Sequence, residues 1–347
     1  MQSKTSETGA EKIIYQGLKN LDKYMVYVIF VIVLIFFAVW LGSNFFSVPN
    51  IMNITRQTAM ISVMAVAMTF VIAAGQIDLS VGAIVALSSL LAALILQATN
   101  NVILAVTSSL ILGAFIGAVN GFLTTIVRIP SFLTTLGMLC SVQGVAMWLT
   151  DTKAVPIMNK TFNFIFGMGM IFGVPILLFW AMIALLIGHF ALKYLPYGKK
   201  VLAIGGNSIS AAYSGINIHK ITILVMTFSG MAAAFAGLLY SGRTQTARYT
   251  YGIGDELSVI AAVVLGGTSM SGGTGNIIGA VIGSLLLGII NNGLIIGGLN
   301  VSQQMMVRGA IIIIAVALNN VEYLKQNIEY IKRNIKELKK NQISRFQ

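Results

Sequence analysis

Long apolar runs separated by short polar segments dominate the chain. About 20 consecutive apolar residues cross the hydrocarbon core of a bilayer as an α-helix. The pattern therefore predicts an all-α polytopic membrane protein with about ten transmembrane helices. The ten predicted spans are residues 25–42, 59–74, 83–98, 102–127, 131–149, 173–192, 221–241, 257–270, 276–298 and 304–320.

Two polar ends flank this predicted transmembrane domain, which covers residues 25–320. Residues 1–24 are predicted to form an amphipathic N-terminal segment, and residues 321–347 a basic amphipathic tail. Apolar residues recur in the tail at helical spacing, with lysine and glutamate between them: Leu324, Ile328, Ile331, Ile335 and Leu338. We expect the tail to lie on the anionic inner leaflet, with a coiled-coil partner as the alternative.

Composition agrees with a membrane location. The chain is 57% hydrophobic and only 9% charged, with a mean hydropathy of +0.88, whereas soluble domains carry about 25% charged residues. The net charge of +12 is compatible with either nucleic acid or anionic lipid as a partner, so the positions of the basic residues decide between them.

The basic residues collect on one side of the predicted topology. With the N-terminus inside, the cytoplasmic segments hold 16 of the 22 lysines and arginines and the outer loops hold five. Arg308 is the remaining one and falls within the last span. Because cytoplasmic loops of membrane proteins are enriched in basic residues, both termini are predicted to be cytoplasmic. Membrane lipid accounts for the charge, and no nucleic-acid partner is expected.

The stretch GQIDLSVGA at residues 75–83 contains the only acidic residue between Asp22 and Asp151. An intramembrane carboxylate such as Asp78 is a functional candidate by default. The span count, however, puts it at the cytoplasmic end of two helices, where Gly75 ends one helix and Asp78 is a suitable N-cap for the next. Capping, a role in the pathway, and an ion pair with Arg308 are the three interpretations.

Glycines recur at every fourth position in two spans. Small residues at this spacing let another helix approach closely, so we predict a helix-packing role for Gly113, Gly117, Gly121, Gly275, Gly279 and Gly283. Each stripe is followed by an Asn-Gly pair, at Asn120 and at Asn292. This echo suggests two related halves, a common plan in transporters.

Motifs for chemistry are missing from the sequence. The glycine-rich stretch SMSGGTGN at 269–276 lacks the lysine of a phosphate-binding P-loop, so we interpret it as a tight turn and expect no bound ATP. HExxH, CxxC and GxSxG motifs are absent, and Cys140 is the single cysteine. An enzyme, a metal site and a resident cofactor are therefore not expected.

The longest polar segment inside the bundle covers residues 193–220 and is cytoplasmic by the span count. Gly205-Gly206 is predicted to break the chain, and Asn207 or Ser208 to cap a short helix over 209–214 that ends at Gly215. A short capped helix between spans suits docking of another protein, and an ordinary surface loop is the alternative.

Four stretches in this order strongly resemble the membrane permease subunit of bacterial ABC importers for ribose and related sugars. They are GQIDLSVGAIVALSS, IGAVNGFLTTIVRIPSFLTTLGM, YGKKVLAIGGNSISAAYSGINIHK and AAVVLGGTSMSGGTGNIIGAVIGSLLLGIINNGL. The resemblance covers residues 40–320. Gln76 stands where the family more usually has glycine.

The resemblance implies a permease that pairs with a second membrane subunit, often an identical copy. A cytoplasmic ATP-binding protein would drive it, and an extracytoplasmic sugar-binding protein would deliver the sugar. By this match the ATPase-docking residues are Gly206, Asn207, Ala211, Ala212, Ser214 and Gly215. Polar residues predicted to line the pathway are Gln76, Asp78, Asn120, Gln143, Asn291 and Asn292.

Other substrates and classes stay open. Related permeases for nucleosides and branched-chain amino acids share the architecture. An ion-coupled secondary transporter and a membrane scaffold are the alternatives from other functional classes.

Overall fold

The structure, a computed structural model, describes residues 26–319, so the predicted segments 1–24 and 321–347 lie outside the described residues. Its helices are α1 (Val26–Leu41), α2 (Val48–Ala73), α3 (Val81–Thr99), α4 (Val102–Thr125), α5 (Ser131–Leu149), α6 (Lys160–Asn163), α7 (Ile176–Lys193), α8 (Pro196–Gly206), α9 (Ser208–Tyr213), α10 (Ile218–Thr244), α11 (Asp255–Leu265), α12 (Ile277–Ile296) and α13 (Val301–Asn319). Four two-residue strands complete the fold: β1 (Val155–Pro156), β2 (Met170–Ile171), β3 (Val174–Pro175) and β4 (Thr246–Ala247). β1 pairs with β4 and β2 with β3, both antiparallel.

Within residues 26–319, seven helices are long and apolar enough to cross a membrane: α2, α3, α4, α5, α7, α10 and α12. The protein is thus helical and polytopic. The other three predicted spans contain α1, α11 and α13, of which α1 and α11 are shorter.

Two predicted boundaries were wrong. The helix of the span predicted at 59–74 begins at Val48. Pro49 lies in its first turn, a position that suits proline, and the polar residues between Pro49 and Ala59 belong to the helix. The hydroxyl of Thr58, for example, bonds the carbonyl of Ile54. The span predicted at 257–270 is helical only over Asp255–Leu265, because Gly266 and Gly267 follow it and Gly267 has φ +87°.

Two sets of helices share one packing plan. α4 packs on α10, and α12 packs on α2. Likewise α3 contacts both α10 and α4, while α11 contacts both α2 and α12. If α2, α3, α4 and α5 correspond to α10, α11, α12 and α13, each of these contacts in one set has its counterpart in the other. This is expected for two related halves.

Glycines allow the closest of these contacts. A methyl group added to Gly113 would overlap the carbonyl oxygen of Gly230, and one added to Gly117 would overlap that of Met226. Gly121 lies equally close to Ile223 on the same face of α10. The backbones of α4 and α10 thus touch along three turns, which any side chain at these positions would prevent.

The second glycine stripe is shorter than predicted. Gly279 and Gly283 on α12 face the backbone of Gly266 and Ala262 at the end of α11. Gly275, however, precedes the N-cap Asn276 and is outside the helix. A methyl group there would meet the side chains of Leu192, Ala73 and Thr69 at 3.1–3.3 Å.

The bundle has two ends with different secondary structure. The end that carries α8 and α9 also holds linkers 126–130 and 266–276 and the start of linker 74–80, and we call it the α8–α9 end. The opposite end carries the paired strands β1–β4 and β2–β3, and we call it the ribbon end. Basic side chains at the α8–α9 end are Arg128, Lys193, Lys199, Lys200 and Lys220.

We predict that Gly117→Ala lowers stability, because the added methyl group has to push α4 away from α10. Overpacking of this kind costs about 1–3 kcal/mol. Gly137→Ala is the matched control, since a methyl group on Gly137 in α5 meets nothing within 4 Å. Thermal unfolding in detergent should show a lower Tm for Gly117→Ala only. Equal Tm values for the two variants would contradict the close-packing account.

Candidate functional site

The N-termini of two helices meet inside the bundle. α3 begins at Val81 and α11 begins at Asp255, and each follows a non-helical linker, 74–80 or 245–254. The backbones of Gly82 and Gly252 approach so closely that a methyl group on either one would overlap the other's carbonyl oxygen. Helix N-termini carry partial positive charge, and interrupted helices that meet within a membrane form binding sites in transporters.

Asp78 lies at the α3 side of this meeting point and is completely buried. Its Oδ1 accepts hydrogen bonds from the backbone N–H and the hydroxyl of Ser80, at 2.9 and 2.6 Å. Its Oδ2 accepts one from the hydroxyl of Ser229 on α10, at 2.7 Å. The Asn120 amide in turn donates to the Ser80 hydroxyl at 2.9 Å. The carboxylate therefore holds together α3, α4 and α10.

This arrangement corrects two expectations about Asp78. The N-cap of α3 is Ser80 and not Asp78, although the carboxylate does bind the N–H of the capping residue. The position is also deeper than predicted. Ser229 lies eleven residues after Ile218, which is about 16 Å along α10 at 1.5 Å per residue. The linker after Gly75, which has φ +73°, runs back into the bundle and places Asp78 there.

The remaining predicted pathway residues are dispersed. Gln76 lines a cleft at the α8–α9 end, and the amide of Gln143 donates to the carbonyl of Tyr249 at 2.7 Å. Asn292 donates to the side chain of Asn50 at 2.9 Å. Asn291 accepts from Arg308 at 3.2 Å. Only Asp78 and Asn120 are brought together, through Ser80.

Asn120 and Asn292 share an unusual feature. Both are buried, and each uses its amide nitrogen in one hydrogen bond while its Oδ1 has no partner among the described residues. Since buried polar atoms are normally paired, these two oxygens are exceptions within the described bundle.

The proposed ion pair between Asp78 and Arg308 does not form, because Arg308 lies in the other half, next to Asn291. The carboxylate near Arg308 is Asp255, which sequence reasoning missed. Its Oδ2 accepts a hydrogen bond from the Tyr240 hydroxyl at 2.6 Å. The Leu-Ser-Val that follows Asp78 recurs at 257–259, but there it follows Glu256, so Asp255 lies one residue before the position that the repeat matches to Asp78.

The predicted docking segment is helical over most of its length. α8 runs through Gly205 to Gly206, so these glycines end a helix and do not break the chain before one. Asn207 then caps α9, and its Oδ1 accepts the N–H of Ser210 at 2.9 Å. Gly215 follows with φ +79°. The predicted cap and the predicted stop of this short helix are therefore confirmed.

One face of α9 is free. Ile209 is 69% exposed and Tyr213 is 90% exposed, one helical turn apart. Sequence reasoning passed over both. Ala211, by contrast, is buried against the bundle, and Ala212 and Ser214 are exposed. Two adjacent, exposed, large apolar side chains on a short rigid helix are a typical contact surface for another protein.

α8 connects this surface to the end of α2. A methyl group on Gly205 would overlap the carbonyl oxygen of Ala73 and lie 2.6 Å from the amide nitrogen of Gly273. Gly273 itself donates its N–H to the Ala73 carbonyl at 3.0 Å. The stretch 269–276 is thus a turn that packs α8 against α2, just before the linker that carries Asp78.

Comparison with known proteins places the chain among membrane permeases. The family model described as branched-chain amino acid transport system / permease component matches residues 50–316. The ribose import permease protein RbsC of Escherichia coli (strain K12) is 40% identical over 292 residues, 83% of this chain and 91% of the relative. RbsC of Bacillus subtilis (strain 168) is 36% identical over 321 residues, 92% and 98% of the two chains.

A permease named for another sugar also matches. The L-arabinose ABC transporter permease protein AraH of Azospirillum brasilense is 33% identical over 273 residues, 79% of this chain and 80% of the relative. No solved structure matches the chain significantly.

We predict that Asp78→Leu destabilises the protein while Asp78→Asn does not. Leucine leaves the N–H of Ser80 and the hydroxyl of Ser229 buried without an acceptor, at about 1–3 kcal/mol each. Asparagine still accepts from Ser80 through its oxygen, and its amide donates to the Ser229 hydroxyl. Thermal unfolding of the purified variants checks this. A leucine variant as stable as wild type would show that the network does not hold the three helices.

Proposed function

Because the chain belongs to the branched-chain amino acid transport system / permease component family of ABC importers, it is a transport subunit and not an enzyme, and we propose that it forms the transmembrane pathway for ribose or a related monosaccharide. The observation that carries this proposal is the similarity to ribose import permeases over 83–92% of the chain. Nucleosides and branched-chain amino acids are the alternative substrates, and an ion-coupled secondary transporter is the alternative mechanism.

The proposed topology has ten membrane crossings with both termini in the cytoplasm of a bacterial cell, in its inner membrane. α11 and the non-helical residues after it make one of these crossings together. The α8–α9 end is then cytoplasmic. The described residues carry five basic side chains on each side, so the excess of lysine and arginine expected on the cytoplasmic side comes from the two terminal sequence segments. The ribbon end faces outward.

Three protein partners follow from this proposal. A cytoplasmic ATP-binding subunit binds and hydrolyses ATP, so the permease needs no cofactor of its own. An extracytoplasmic binding protein brings the sugar to the ribbon end. A second permease copy, which we propose to be identical, completes the membrane part.

We propose that α9 is the element that docks on the ATPase. Its cap Asn207, together with Gly206 and Gly215, fixes the orientation of the helix. Ile209 and Tyr213 are exposed contact residues, to which Ala212 and Ser214 add surface. Ala211 anchors the helix to the bundle from its inner face.

Movement of α9 can reach the centre of the bundle through α8 and α2. α8 precedes α9 directly and packs through Gly205 on the end of α2. α2 leads into the linker with Gln76 and Asp78, where α3 and α11 meet. We propose that displacing α8 shifts this linker, so that Asp78, Asn120 and the other dispersed polar residues (Gln143, Asn291 and Asn292) contact a neutral sugar in turn.

Reconstitution tests the function. Proteoliposomes with this chain, its ATP-binding subunit and its binding protein should accumulate labelled D-ribose, L-arabinose or D-allose only when ATP is present. Omitting the ATPase is the control. Uptake by the permease alone, driven by an ion gradient, would instead support the secondary transporter, and uptake of L-leucine in place of any aldose would change the substrate class.

The docking proposal has its own test. Tyr213→Ala should weaken ATPase binding about tenfold or more, because exposed tyrosines at the centre of interfaces often contribute 2 kcal/mol or more. Pull-down of the ATPase by tagged permease measures this directly. Met158→Ala, which removes an equally exposed side chain at the ribbon end, should bind the ATPase like wild type. Unchanged binding by Tyr213→Ala would exclude this face of α9 as the contact.

A further inference from the structure

A cavity of about 370 Å³ opens in the second half of the bundle, toward the ribbon end, between α2, α10, α11, α12 and α13. Its volume falls in the range of small-molecule sites, about 300–1,000 Å³. Gln304, Ile295 and Ser284 are among its lining residues, and the Ser284 hydroxyl lies 2.6 Å from that of Ser62.

Polar groups of several kinds converge on this cavity. Asp255 and Tyr240 line it as a hydrogen-bonded pair, and Arg243 and Arg308 add two guanidinium groups. The amide side chains of Gln57, Asn291 and Gln304 complete the polar lining. Charged groups are rare in this chain, so three of them in one membrane-embedded cavity indicate a function.

These groups keep free hydrogen-bonding capacity. Arg308 has five N–H donors and uses one, to Asn291, among the described residues. Neither arginine forms an ion pair within the part of the chain that the structure describes, where the only such pair is Lys153 with Asp151. Asp255 retains lone pairs beside the one that Tyr240 occupies.

We propose that this cavity, within a single permease chain, binds one neutral aldose on its way through the membrane. Sugar hydroxyls both donate and accept, so they match a carboxylate, two guanidinium groups and three amides placed around one space. The ring of Tyr240, stacked on Tyr251 at 5.6 Å between centroids, offers an apolar face for the C–H side of a sugar. This inference rests on the proposed function for its class of substrate.

The comparison of the two halves supports this assignment. In the first half the buried carboxylate before α3, Asp78, is sealed by Ser80, Ser229 and Asn120. In the second half Asp255, at the start of α11, faces an open cavity. A ligand can therefore reach the carboxylate of the second half in this structure, while the carboxylate of the first half is covered.

Protection of a cysteine tests the binding site. In a Cys140→Ser background, Gln304→Cys places a thiol in the cavity lining, and Ser302→Cys places one outside it on the same helix. The complete complex in proteoliposomes, with the ATPase and the binding protein, is treated with a membrane-impermeant thiol reagent. D-Ribose, L-arabinose or D-allose should slow labelling at position 304 several-fold and leave position 302 unchanged.

Variants of the lining then test the assigned contacts. Asp255→Asn and Arg308→Gln should each raise the aldose concentration for half-maximal protection about tenfold or more, as expected for lost hydrogen bonds to charged groups. Arg248→Gln, an exposed arginine at the ribbon end outside the cavity, is the matched control and should not change it.

The outcomes separate this inference from the function. ATP-driven uptake without protection at position 304 overturns the cavity proposal and leaves the function intact. Protection without ATP-driven uptake keeps the cavity and overturns the function. Protection by L-leucine alone overturns the aldose assignment, because two guanidinium groups and a carboxylate would then be binding a zwitterion.

Discussion

Close contact between backbones, at the point where α8 meets α2, connects the outer surface of the molecule to its interior. Gly205 lies directly against the carbonyl of Ala73, and the N–H of Gly273 bonds the same carbonyl. Three segments far apart in sequence are thus joined without a side chain between them. A displacement of α8 therefore moves the end of α2 as well, because tightly packed atoms leave no space between the two helices.

The same constraint shapes the rest of the bundle. In a membrane, every backbone polar group needs a partner within the protein. Glycine stripes bring α4 and α10 into direct contact. Where the helices are interrupted, at linkers 74–80 and 245–254, side chains can bind the backbone groups that the helix ends leave unpaired. Asp78, for example, accepts a hydrogen bond from the N–H of Ser80, which precedes α3. The interruptions therefore occur where the polar residues collect, and that is where a polar solute can be bound.

Sequence reasoning predicted much of this and missed a definite part. The apolar runs located the helices, and the Asn207 cap was predicted correctly because capping depends only on neighbouring residues. The depth of Asp78 was not predictable in this way, because a linker that folds back into the bundle reads like a surface turn. Asp255 was overlooked for a related reason: it stands at the start of a short helix, next to residues that resemble an outer loop. The repeated Leu-Ser-Val points to this region of the second half, although it matches Asp78 to Glu256 and not to Asp255.

We propose that α8 transmits the action of the ATPase to the pathway through Gly205. The most direct test is the number of sugar molecules transported per ATP hydrolysed by the reconstituted complex carrying Gly205→Ala. Gly137→Ala in α5 is its control, since a methyl group there meets nothing within 4 Å. We expect Gly205→Ala still to bind the ATPase and hydrolyse ATP but to transport much less sugar per ATP, while Gly137→Ala behaves like wild type. An unchanged ratio in Gly205→Ala would contradict this proposal.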